Sequence, residues 1–96
     1  MTIEETIILV KAVTGVQVDQ LKRKEAEYPT FARLIAIVLM DEENYANTAI
    51  ATALTLTRSH THRALNRASE LLITNKQFKR MYLSCIEAMT RLEESK

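Results

Sequence analysis

The stretch IATALTLTRSHTHRALNRASELL, residues 50–72, decides how this chain reads. Ala49 to Leu54 has the apolar spacing of a short helix, with Ile50, Ala51 and Leu54 as its packing positions. Ala51 is small where a second helix must come close. Thr55-Leu56-Thr57 reads as a tight connection. A longer helix is predicted from about Ser59 to Ile73, with Thr57 suited to its N-cap. Two helices joined by so few residues predict a helix-turn-helix. At about 100° per residue, Thr61, Ala64, Leu65, Ala68 and Leu72 form an inner stripe. Ser59, His62, Arg63, Asn66 and Glu70 project outward, His60 and Arg67 flank them, and Arg58 sits at the helix start. No acidic residue occurs from Thr57 to Asn66. Basic and hydrogen-bonding groups therefore gather at a helix N-terminus, the end by which recognition helices reach base edges and where amides and dipole favour phosphate.

Outward from this pair, the chain stays helical. Thr2-Ile3-Glu4-Glu5 has the spacing of a capping box. The helix it opens is predicted to run to about Thr14, with Ile3, Ile7 and Val10 on one face and Gly15 as its stop. Val16, Val18 and Leu21 suit an anchored extended turn followed by a short helix. Lys22-Arg23-Lys24 comes next, then Glu25 and Glu27. Pro29 fits the first turn of another helix, where Phe31, Leu34, Ile35 and Val38 keep helical spacing. Ile37 and Leu39 widen that apolar face, which places this helix at the centre of the core; it ends near Asp41-Glu42-Glu43. Asn44 to Asn47 reads as a loop. Asn75 caps a last helix whose core stripe is Phe78, Met81, Tyr82, Cys85, Ile86, Met89 and Leu92.

Composition agrees. The chain has 96 residues, enough for one domain, and 47% of them are hydrophobic, enough to fill its core. Gly15 and Pro29 are each alone of their kind, too few turn formers for a sheet-rich fold. The expectation is an all-α domain of five or six helices over residues 1–96. A net charge of +1 means that nucleic-acid binding must rest on local charge. Cys85 is the only cysteine, so no intrachain disulfide forms. The apolar run at Ile7–Val10 is short and follows two acids, unlike a signal peptide; no stretch is long enough to span a bilayer. A cytoplasmic protein without membrane association is expected.

Arg58-Ser59-His60-Thr61, with Ile50-Ala51 before it, resembles the signature of the C-terminal DNA-binding domain of the bacterial replication initiator DnaA. That family carries an Ile-Gly pair, a Gly-Gly turn and then Arg-Asp-His-Thr/Ser-Thr-Val. Val18-Asp19-Gln20-Leu21-Lys22 is similar to the stretch before the family's basic loop. Arg33-Leu34-Ile35-Ala36-Ile37-Val38-Leu39 is similar to its Arg-Gln-Ile-Ala-Met-Tyr-Leu helix. The resemblance runs from about Ile3 to Leu92 and implies a stand-alone helix-turn-helix domain that binds double-stranded DNA. It implies base reading by His60 and Thr61, although Thr61 also falls on the inner stripe. Lys22, Arg23 and Lys24 would touch phosphate or the neighbouring groove. Arg58, Ser59, His62, Arg63 and Asn66 complete the expected interface, with Arg63 chosen for its facing.

The chain departs from the family at several points. Ser59 stands where the family has Asp, which removes one acceptor for a cytosine amino group. Arg63 replaces a Val. Thr55, Leu56 and Thr57 replace the turn glycines, and Glu25 and Glu27 dilute the basic loop. No Gly-x-x-x-x-Gly-Lys-Ser/Thr loop occurs, so the initiator's ATPase is not expected. Such a domain would compete with a full-length initiator, regulate replication or transcription, or act as a homodimer. The alternative is a protein-interaction module that kept the fold and lost DNA.

Other chemistry has weaker support. His60 and His62 diverge by about 200° on a helix and cannot share a metal in cis. Cys85 lies on an apolar stripe, as a small buried hydrophobe does. Asp41-Glu42-Glu43 reads as a solvated helix end. Lys76, Lys79 and Arg80 fit either a second phosphate-contacting patch or a solvated face. No enzyme activity, metal or cofactor is expected.

Overall fold

A computed structural model describes residues 1–15 and 27–95, without the side chains of residues 27–30. The described residues form five helices and no strand: α1 (Ile3–Thr14), α2 (Glu27–Glu42), α3 (Asn47–Leu54), α4 (Arg58–Thr74) and α5 (Lys76–Glu94). The all-α expectation holds. The short helix expected between Val16 and Lys24 lies outside the described residues.

Local signals set most of the boundaries. The Thr2 hydroxyl accepts from the Glu5 amide at 3.0 Å, and the Glu5 carboxylate accepts from the Thr2 amide at 2.9 Å, completing the capping box. Gly15 ends α1 in the left-handed region at φ 76°, which costs a residue without Cβ nothing. Thr57 and Asn75 cap α4 and α5, accepting from the amides of His60 at 3.0 Å and Phe78 at 2.9 Å. One boundary differs from expectation: α3 starts at Asn47, two residues earlier than Ala49, with no side-chain cap from Ala46.

α2 is the axle, packing against all four other helices. From Phe31 to Met40 every residue except Val38 is buried, Arg33 included. A helix apolar all round belongs inside a fold. Phe31 meets Phe78 of α5 edge to face, with ring centroids 5.3 Å apart at 86°, a preferred aromatic geometry. In α5, Phe78, Met81, Cys85 and Met89 are buried, and Tyr82 and Ile86 partly so. Leu92 is a correction: it is 48% exposed, because its turn of α5 lies at the end of the packed stripe. The acidic end of α2 is solvated as expected at Asp41 and Glu42, which are exposed, while Glu43 is partly buried. Glu42 accepts from the Tyr82 hydroxyl at 2.8 Å, and Glu43 pairs with the Met1 amino group at 3.4 Å.

Candidate nucleic-acid interface

The turn between α3 and α4 positions the candidate site. Ile50, Ala51 and Leu54 are buried, as their spacing predicts. Past Leu54 the chain closes a Schellman motif: the Thr55 amide donates to the Thr52 carbonyl at 3.3 Å, and the Leu56 amide to the Ala51 carbonyl at 2.7 Å. Thr55 adopts φ 59° and ψ 47°, the left-handed conformation usually given to Gly or Asn. A β-branched residue is strained there. Leu56 packs against the core beneath the turn, and Thr57 then starts α4.

α4 divides by face. Thr61, Ala64, Ala68 and Leu71 are buried, while Leu65 and Leu72 are partly buried. The stripe is mostly small residues, which lets the helix lie close to α2. Arg58, Ser59, His62, Arg63 and Asn66 are all exposed, and His60 is half-buried. The five exposed residues share an arc of roughly 140° and span roughly 12 Å along the axis. An α-helix about 10–12 Å in diameter fits a DNA major groove about 12 Å wide. The first turn carries no acid, so the positive end of the helix dipole stays uncompensated.

Thr61 needs correcting as a base reader. It is fully buried, and its hydroxyl donates to the Thr57 carbonyl at 3.0 Å. Its place on the inner stripe decided this: the hydroxyl is already used inside the helix. Further along, Arg67 is exposed and lies 3.9 Å from Glu70, a surface pair of little energetic weight. Lys22, Arg23, Lys24 and Glu25 lie outside the described residues.

Compared with family models, curated proteins and solved structures, the chain gives no match.

Arg33, the first residue of the stretch similar to the family's Arg-Gln-Ile-Ala-Met-Tyr-Leu helix, lies in the core, which helical spacing did not predict. It is 3% exposed, its Nε finds no hydrogen-bond partner among the described residues, and burial lowers its pKa. A lone Arg within an apolar run is the one signal that marked it. Among the described residues no three His, Cys, Asp or Glu side chains gather into a metal-holding group. Cys85 is buried and its thiol is pushed up to about 11 by burial, so it is protonated near neutral pH. No helix among the described residues is long and apolar enough to cross a membrane.

Proposed function

We propose that this chain binds double-stranded DNA by seating the first turns of α4 in the major groove, in the manner of the DnaA C-terminal domain that its sequence resembles. One observation carries the reading. Arg58, Ser59, His62, Arg63 and Asn66 share the exposed face of α4, at the acid-free N-terminus of the second helix of a helix-turn-helix. Arg and Asn are the side chains that grip guanine and adenine edges in two places at once, and Ser hydrogen-bonds to either. Arg58, beside the helix start, suits phosphate. His60 reads a base edge by the resemblance; Thr61 supports the helix from within. The role that follows is regulation of replication initiation or transcription, by occupying sites that a full-length initiator also uses.

The test is fluorescence anisotropy on labelled duplexes over a range of salt. The wild type should bind, with log affinity falling linearly in log salt by about 0.9 for each phosphate neutralised. Arg58→Ala should flatten that slope by about one unit, uniformly across sequences. Arg63→Ala should cost about 1–3 kcal/mol on the preferred duplex and little on random DNA. No binding even at low salt would remove the DNA reading and leave the protein-interaction module in its place.

A further inference from the structure

The outer face of α1 is built differently from that of α4. Ile8 stands 62% exposed and forms a wall shared by two grooves. One runs between α1 and α3, lined by Ile7, Thr52 and Ala53 among others. The second runs between α1 and α5, lined by Leu9, Val13 and Leu92 among others. A single exposed isoleucine needs no explanation. One set between two mostly apolar grooves, with Leu92 also half in solvent and the charged Glu5 and Arg91 at the edge of the second, makes an exposed apolar surface of the sort that marks an interface.

The charges beside this surface identify its occupant. Glu4, Ile8 and Lys11 follow one another at spacings of four and three, so they share one side of α1. Glu4 is exposed and Lys11 partly so, and neither forms an ion pair among the described residues. Acid at one end, base at the other and isoleucine between make a surface complementary to its own reversed copy. Laid antiparallel about a two-fold axis, α1 meets a second α1 with Glu4 opposite Lys11 of the partner subunit, and the reverse. The axis passes near Ile8. Parallel alignment would instead set Glu4 against Glu4 and Lys11 against Lys11.

We propose that this face joins two copies of the chain, α1 to α1 antiparallel, each Ile8 entering a groove of its partner and each Glu4 pairing with Lys11 of the partner subunit. Such a contact is isologous and closes on itself. One helix face is small against the roughly 800 Å² per partner of a standard interface, so both flanking grooves must contribute to the contact. No residue lining the grooves belongs to α4. The dimer therefore leaves the candidate DNA face open, and it stands or falls independently of DNA binding.

Sedimentation equilibrium on the full chain without DNA, from low to high micromolar concentration, tests it. The wild type should be a reversible dimer. Ile8→Glu should weaken the dimer by about 100-fold while helical dichroism stays unchanged, since Ile8 is exposed. Glu4→Lys and Lys11→Glu should each weaken it by about tenfold. The double charge exchange should restore it to within about threefold of wild type. A wild type that stays monomeric at every concentration would overturn the proposal. So would a dimer untouched by Ile8→Glu, or charge exchanges whose losses add without rescue.

Discussion

α2 and α4 lie against each other and are nearly equal in length, 16 and 17 residues, yet they do opposite work. α2 is buried on all sides between Phe31 and Met40, Val38 aside. α4 buries only Thr61, Ala64, Ala68 and Leu71. Filling space in every direction leaves α2 almost no side chain for a partner. α4 docks through two alanines, an internally bonded threonine and Leu71, with Leu65 and Leu72 partly buried, so one stripe holds it and a wide polar arc stays free. A small-residue stripe brings the supported helix close; the freed positions can then be chosen for chemistry.

The largest expected effect tests the burial half of this contrast. Ile35 is fully buried, and Ile35→Ala should cost about 2–5 kcal/mol in urea unfolding, through lost transfer energy and a cavity. Arg63→Ala, on the exposed face of α4, should stay within about 0.5 kcal/mol. A loss below about 1 kcal/mol at Ile35 would show that α2 is not the axle.

A smaller effect is expected at the turn that feeds α4. Thr55 holds a left-handed conformation at φ 59°. Thr55→Gly removes the Cβ clash but enlarges the entropy of the unfolded chain, and the net should be a gain of about 1 kcal/mol. Melting should rise by about 4–8 °C, the scale for a domain of this size. An unchanged or lower melting temperature would mean that the turn carries no strain and that glycine is not preferred there.

The smallest effect concerns the attachment of α5 to the axle. Burial pushes the Cys85 thiol up to about 11. Burial, then the hydrogen bond to and the charge of Glu42, push the Tyr82 hydroxyl up to about 12. Both shifts favour the neutral form in the fold. Their stabilisation is complete below the unfolded values and disappears as pH rises through about 11 and about 12. Melting temperature should hold up to about pH 9 and decline above it. Tyr82→Phe should flatten the upper part of that decline; a parallel curve would leave Tyr82 no part in it.

Much of this was legible because the decisive interactions are local. Thr2 with Glu5, Gly15, Thr57 and Asn75 act within one turn of their own position, and each marks its boundary where the pattern put it. The face of α4 was legible for the same reason: helical phase alone separates Arg58, Ser59, His62, Arg63 and Asn66 from the buried stripe. Thr61 shows the limit of transferring a motif residue by residue, since its phase pointed inward and its hydroxyl bonds Thr57. Leu92 shows the limit of periodicity, which repeats along a helix beyond the point where a neighbour stops covering it.

The sequence by itself determined the helices, their caps, the three-residue turn and the sidedness of α4, because these follow from backbone hydrogen bonding and from a period set by helix geometry. Only the tertiary structure decided that Arg33 is buried within the central helix, that Glu42 reaches Tyr82 on another helix, and that Ile8 stands between two open grooves. Each depends on which helices meet across the fold. Contacts between residues tens of positions apart are set by how whole faces pack, which no local pattern contains.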